Sequence, residues 1–318
     1  MQIGIKCLIL VVFIIENNMN PICGVCGTKS NYLLNKDDFD LYKCRNCKLV
    51  FVYPIPEAKN LADELYSYES GYMSNRARQD LAKDREQKRV SLVFEEFQKQ
   101  LPNGTMLDVG SGNGQMMYWA KARGIKSKGV ELNRRTAERA REYGFEVFNG
   151  FLEEAPYEKN SFDYIFLGEI IEHVVDPRGF IKVCSQFLKA GGLIGITTPN
   201  IDCPWSNTTF LYYKYFKIPW SSVTPPYHLN QFNSHNLDLL MKQEGFYPVL
   251  TKYLRIPPLK YELGMLHLIK RYKKSKKLLD LIFTIFSFGL YTVTHFLFKI
   301  LHPIWSKDFQ MVKVYKKL

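Results

Sequence analysis

The stretch "TMLDVGSGNGQMMYWAKAR" (105–123) constrains the fold more than any other part of the chain. An apolar run ends in Asp108-x-Gly110-x-Gly112-x-Gly114, and a helix-permissive segment follows at once. Glycines at such a turn let the backbone bend sharply and approach a ligand where no Cβ would fit. The G-x-G-x-G spacing differs from the G-x-G-x-x-G of dinucleotide binders. An acid two residues before the first glycine suits a ligand with an ammonium group better than one with a pyrophosphate. Glycine turns taken alone also have a purely structural reading.

The surroundings repeat the pattern. "SKGVEL" reads as the next strand, "RRTAERAREY" as a helix and "FEVF" as a further strand. "FDYIFLG" and "GLIGITT" are almost wholly apolar, as strands buried on both faces of a parallel sheet should be. "DPRGFIKVCSQFLKAGG" supplies the helix between them, with Gly191 and Gly192 expected to end it. Repeated βα units predict a doubly wound sheet with ligands at the carboxyl ends of the strands. Glu131 closes "SKGVE", where a carboxylate can accept both hydroxyls of a ribose. A solvated strand end is the alternative.

As a set, "LDVGSGNGQ", "GVELN", "NGFLEEAPYEKNSFDYIFLGEIIEHVVDP" and "LKAGGLIGITTPN" resemble the successive motifs of class I S-adenosylmethionine-dependent methyltransferases. "TPPYHLNQFNSHNLDLLMKQEGF" (224–246) resembles the substrate-side segment of the same branch. The resemblance covers roughly residues 101–255. It implies an α/β, doubly wound Rossmann-like sheet of seven strands, mostly parallel with the last antiparallel. It also implies that Asp108, Gly110 and Gly112 hold the methionine end of S-adenosylmethionine, and that Glu131 holds its ribose. Ser111 and Gly114 complete that loop, and Leu132 follows the acid. Phe151 and Leu152 would border the adenine, and Glu169 would lie nearest the cofactor at the next strand end. Relatives often carry an Asp near Asn149 and Gly150; this chain has none there.

Four of the seven cysteines form Cys23-x-x-Cys26 and Cys44-x-x-Cys47, separated by 17 residues. This fits the four-thiolate pattern of structural Zn²⁺, in which each pair chelates from a tight turn. Redox pairs or unligated thiols are the alternatives. A closed four-thiolate site leaves no open position, so its role is folding or substrate docking. With "LVFVYPIP", the segment resembles the zinc-ribbon head of many bacterial members, including sugar and natural-product methyltransferases.

"GEIIEHVVDP" (168–177) nearly matches the H-x-x-E-H motif of inverted zinc proteases but lacks the first His. Following a buried strand, it reads instead as the floor of a methyl-transfer pocket. His173 there and His228 in the Pro-flanked "PPYHLNQF" are candidate general bases, each with a structural alternative. Tyr227 is a candidate pocket wall or hydrogen-bond donor. Glu172 is read equally as a loop anchor or a substrate contact.

The expected organisation is an apolar tail over 1–19, read as a signal or anchor, a membrane-surface tail or an over-extended start. A zinc-ribbon head at 20–56, a helical linker at 57–100 and a methyltransferase domain at 101–318 follow. That domain carries a helical insertion at about 265–306. The net charge of +12 is uneven, since "KRYKKSKK" (270–277) has six basic residues and no acid. Beyond it, Leu281 to Phe298 has no charge, yet a polar stripe recurs every three or four residues from Asp280 through Thr284, Ser287, Tyr291 and His295 to Lys299 and His302. "FQMVKVYKK" (309–317) reads as the closing strand, which must rejoin the sheet, so a spanning helix is disfavoured. Association with a membrane surface through 270–306, or packing on protein, remains.

The expected activity is methyl transfer, chiefly to oxygen, on a small-molecule, sugar or lipid-linked glycan acceptor. The expected location is cytoplasmic and peripheral on the inner membrane face. An RNA methyltransferase is a rival, but the head is not strongly basic and its aromatics are not interleaved with Arg, so a nucleic-acid partner is disfavoured. A non-catalytic binding module is a second rival, opposed by the intact glycine loop and Glu131.

Overall fold

The computed structural model describes residues 20–56, 80–83, 85–218, 220, 223–254, 269, 272–301 and 307–318. The apolar tail, residues 57–79 of the expected linker, Lys270, Arg271 and His302 lie outside the described residues.

Seven strands form the main sheet in the order β10-β11-β8-β7-β4-β5-β6. They are β4 (Thr105–Val109), β5 (Lys126–Glu131), β6 (Glu146–Asn149), β7 (Phe162–Gly168), β8 (Leu188–Pro199), β10 (Phe246–Leu254) and β11 (Gln310–Lys317). β6, β5, β4, β7 and β8 pair in parallel, while β11 runs antiparallel to both β8 and β10. The sheet thus has the predicted size and hand of pairing, with the last strand reversed.

Helices cover both faces, as the apolar strands require. α1 (Lys88–Gln100) buries Val90, Val93, Phe94 and Phe97 in a core shared with Tyr164 and Phe166 of β7. α2 (Gln115–Ala122) and α3 (Arg134–Glu142) follow β4 and β5. α4 (Pro177–Phe187) starts where Asp176 accepts the amides of Arg178 and Gly179 at 3.1 and 3.0 Å, with Pro177 in the first turn. Such a cap satisfies amides that have no partner within the helix.

The glycine pair after α4 plays a different part from the one expected. α4 ends at Phe187, and Gly191 and Gly192 lie inside β8. The β7–β8 register jumps from Phe162↔Leu188 to Tyr164↔Leu193, and Gly191 takes φ +71° within the irregularity. The pair accommodates a bulge in the strand rather than a helix cap.

A smaller antiparallel sheet has the order β1-β2-β3-β9, with β1 at Ser30–Lys36, β2 at Phe39–Cys44, β3 at Val50–Val52 and β9 at Asn230–Gln231. Its fourth strand comes from far along the chain, through Val50↔Gln231 and Phe51↔Asn230. The cysteine-bearing head shares one core with the main sheet, where Cys23, Cys47 and Phe51 join Leu107, Ile165 and Phe232. α6 (Ser234–Gln243) adds a bond from Asn236 Nδ2 to the Cys47 carbonyl at 3.4 Å.

α5 (Pro204–Phe216) follows β8, and α7 (Leu278–Leu301) lies between β10 and β11. α7 turns its polar stripe inward. Tyr291 and Thr294 are buried, Tyr212 of α5 bonds Thr294 at 2.6 Å, and Trp205 packs edge-on against Tyr291, His295 and Phe298.

Candidate active site

The carboxyl ends of β4, β5 and β7 converge, as parallel strands in one sheet must. At β4, Asp108 is buried and the glycine loop turns away through left-handed backbone at Gly110, Gly112 and Gly114. Gly110 takes φ +74°, which strains any residue with a Cβ, and a Cβ there would also push the tip of Ile170 aside from 2.3 Å. Gly114 is the N-cap of α2.

Glu131, at the end of β5, holds this loop from across the strand gap. One carboxylate oxygen accepts the Gly112 amide at 2.7 Å and the other accepts the Asn133 amide at 2.7 Å. A carboxylate oxygen carries two lone pairs and can accept a ligand hydroxyl as well as an amide. Asn149, at the end of β6, gives Nδ2 bonds to the carbonyls of Glu131 and Leu132 at 2.8 and 2.9 Å, fixing the same corner. Leu132 and Phe151 are exposed, whereas Leu152 is buried in the main core. The left-handed glycine cradle, the buried acid before it and the braced carboxylate beside it fit the amine and ribose diol of S-adenosylmethionine. Asp108, Gly110, Ser111, Gly112, Gly114 and Glu131 would hold it.

The loop after β7 supplies the second half of the site. Glu169 adopts φ +57°, pairs with Arg89 of α1 at 3.1 Å and accepts Gln310 Nε2 of β11 at 3.0 Å. Glu172 is 1% exposed; one oxygen accepts Thr198 Oγ1 at 2.9 Å, and its other oxygen has no hydrogen-bond partner among the described residues. Burial, reinforced by the charge of Glu169, pushes its carboxyl well above the usual carboxylate range.

The structure brings His228 to this loop from 55 positions along the chain. The rings of His173 and His228 meet edge to face at 4.9 Å, and donor atoms of Glu172, His173 and His228 all lie within 4.8 Å of one another. β9 makes the connection, since the Asn230 amide bonds the Glu172 carbonyl at 3.0 Å and Asn230 Nδ2 bonds the Val174 carbonyl at 2.7 Å. His173 Nδ1 lies 2.6 Å from the Tyr227 carbonyl. A carbonyl only accepts, so Nδ1 carries the proton and the neutral ring keeps its lone pair on Nε2. Burial lowers the pKa of His173 against the opposing pull of that carbonyl, and burial with the neighbouring His173 drives His228 down to about 3. Both rings are therefore neutral at pH 7. Tyr227 contributes its backbone here, while its ring is exposed.

The four head cysteines also converge. Cys23 and Cys47 sulfurs stand 3.6 Å apart, Cys26 and Cys44 sulfurs 3.3 Å apart, and all four fall within 4.8 Å. A tetrahedron with metal–sulfur bonds of about 2.3 Å has edges of about 3.8 Å, so the cluster fits Zn²⁺. The hydrogen bond from Cys47, outweighing burial, pulls Cys23 down to about 5, the thiolate form that a metal takes. Cys184 and Cys203 are separate, buried core residues.

Sequence reasoning did not single out Arg89, Thr198, Asn230 or Gln310. Thr197 and Thr198 carry a readable signal, being polar residues that follow the apolar run Leu193–Ile196 at the end of β8. Arg89 and Gln310 carry none, because only the tertiary fold sets α1 and β11 beside Glu169.

A doubly wound sheet with this glycine turn and these strand-end acids defines a class I methyltransferase domain. A family profile described as a methyltransferase domain matches residues 78–251, more than half of the chain, and the chain belongs to that family. Among curated proteins, a ubiquinone biosynthesis O-methyltransferase of Idiomarina loihiensis is 32% identical over 102 residues, covering 30% of this chain and 42% of that protein. A probable S-adenosylmethionine-dependent methyltransferase of Mycobacterium tuberculosis is 27% identical over 162 residues, covering 48% and 53% respectively. The chain thus spans about half the length of the curated relatives it matches. Among solved structures, phosphoethanolamine N-methyltransferase 2 of Haemonchus contortus, in complex with S-adenosyl-L-methionine, is 17% identical with a TM-score of 0.48. That match covers 85% of this chain and 61% of that one.

Proposed function

We propose that the chain is an S-adenosylmethionine-dependent methyltransferase acting on a hydroxyl oxygen of a small-molecule, sugar or lipid-linked glycan acceptor. The observation that carries this reading is the placement of a neutral, tautomer-fixed His173 on the loop after β7, two strand ends from the braced Glu131. The ubiquinone relatives, named for O-methylation, support oxygen as the acceptor atom. The resemblance of the cysteine head to those of sugar and natural-product methyltransferases supports the acceptor class.

When bound, S-adenosylmethionine supplies a methyl group on a sulfonium, which is already electrophilic. What remains for the protein is alignment and a proton. His173 Nε2 accepts the proton of the acceptor hydroxyl, with Nδ1–H anchored on Tyr227 so that the ring cannot turn away. His228 stands edge-on to that ring and keeps it in place. Glu172, kept protonated by burial, anchors the loop through Thr198. The zinc ribbon fixes β3, hence β9 and the segment that carries Tyr227 and His228.

The test is a methyl-labelled donor assay with purified protein against separated lipid, glycan, RNA and small-molecule fractions. Label in a lipid, glycan or small-molecule pool is expected. Label confined to RNA would overturn the acceptor class, and failure to bind the donor would overturn the enzyme reading.

A further inference from the structure

α7 packs Phe283, Leu290 and Phe298 inward, yet its outward side is also apolar, which is unusual for a helix on a water-soluble protein. A surface helix usually turns its apolar stripe to the core and its polar side to water. Here the stripe holding Ser287, Tyr291 and Thr294 is buried, while Leu279, Ile282, Ile285, Phe286, Phe296 and Ile300 are each more than half exposed. The inward hydroxyls are satisfied. Thr284, Ser287 and Thr294 bond the carbonyls one turn back at 2.7 Å, and Thr294 also meets Tyr212. Nothing in the packing therefore calls for the helix to roll its apolar face inward.

The segment just before the helix is equally unusual. Lys273, Lys274, Lys276 and Lys277 precede Leu278, at the end of a helix where the macrodipole disfavours positive charge. Their number and sign serve no purpose in stabilising the helix. An anionic surface would answer both features at once, because the lysines would meet its charge while the apolar face enters below the headgroups.

The helix Leu278–Ile300 is long and apolar enough to cross a membrane, with a mean hydropathy of 1.7 over an 18-residue window. Its setting argues for lying flat. Its inner side rests on α5, and the strands on either side of the excursion meet directly at Leu254↔Gln310. Both ends of the excursion thus return to one point of the sheet.

We propose that α7 and the lysines before it seat the protein on an anionic lipid surface, with α7 in the plane of the interface. A second copy of the chain fits less well: paired in parallel, α7 would set two lysine clusters near each other, and paired antiparallel it would set each cluster near Lys299 of its copy. The proposal is independent of the methyl-transfer reading, because it concerns a face formed by α7 and tested by binding alone.

Flotation of the full chain with phosphatidylcholine vesicles, with and without phosphatidylglycerol, tests it. Binding is expected only with the anionic lipid and should weaken steeply with salt. Replacing the four lysines by Gln, or making Ile285→Asp with Phe296→Asp, should each reduce binding more than tenfold. These side chains face outward, so unchanged thermal melting without vesicles is expected. Should a variant fail to fold, the salt and lipid dependence of the unaltered chain still decides. Absence of binding to anionic vesicles overturns the proposal. A stable dimer that Phe296→Asp dissociates, without lipid binding, overturns it in favour of self-association.

Discussion

His173 gives its Nδ1 proton to the Tyr227 carbonyl across 2.6 Å, and this one bond decides which nitrogen of the ring is free to act. It also ties two stretches that are 54 positions apart in sequence, so His173 and the segment of Tyr227 and His228 are positioned together.

Replacing His173 by Gln should lower kcat by about 10²- to 10⁴-fold, the range for losing a positioned general base. Affinity for S-adenosylmethionine, measured calorimetrically, should hardly change, since the cofactor cradle lies on other strand ends. The pH profile carries the sign. The ring acts when unprotonated, and burial holds its pKa below the ordinary 6.5, so the acid limb of kcat/KM should fall below that value. A limb centred above 6.5 would speak against His173 as the base.

Glu131→Ala should damage both binding and stability. It strips the acceptor from the buried-side amides of Gly112 and Asn133. Two unsatisfied amides cost about 2–4 kcal/mol together. Urea unfolding should show that loss, and calorimetry should show donor affinity weakened more than tenfold. Normal donor binding in a destabilised variant would reduce Glu131 to a loop brace.

Metal removal should reach the active site through the sheet. The purified chain should hold one Zn²⁺, read by elemental analysis, and a strong chelator or Cys44→Ser should remove it. Loss of the ion frees β3 and with it β9, so activity should fall together with melting temperature. Zinc loss with activity intact would separate the head from the pocket.

A buried ion pair in β11 gives a test of the fold alone. Lys313 Nζ lies 2.7 and 2.8 Å from the two oxygens of Asp238, whose first oxygen also accepts the Tyr315 hydroxyl at 2.8 Å. Asp238→Ala leaves a buried ammonium without its partner. The cost should be about 2–3 kcal/mol in urea unfolding, less than for a fully enclosed pair because Asp238 keeps contact with water. Lys313→Met should cost less, since it removes the buried charge and leaves Asp238 in contact with water.

The parts of this molecule that were legible beforehand are those coded by local pattern. The apolar runs at 105–109 and 162–168, the glycine turn, Glu131 at a strand end and the two cysteine pairs all declare themselves within a few residues. Gly191 and Gly192 show where local pattern misleads: two glycines after a helix look like its cap, but the partner strand makes them a bulge. The proximity of His228 to Glu172 had no local sign, because it depends on β9 pairing with a head some 180 positions earlier. The polar stripe of α7 was visible as a period, yet a period cannot say which side meets the protein. That took Trp205 and Tyr212, on a helix far upstream.

The place of β11 has a consequence for how the chain is made. It is inserted between β8 and β10, and pairs with both along nearly its full length. Until residue 317 has left the ribosome, β8 presents an open edge, β10 has no partner strand among the described residues, and Lys313 has not met Asp238. A nascent chain stalled before Gln310 would therefore carry an open edge on an apolar sheet and an unattached strand, the state in which a chaperone is most needed.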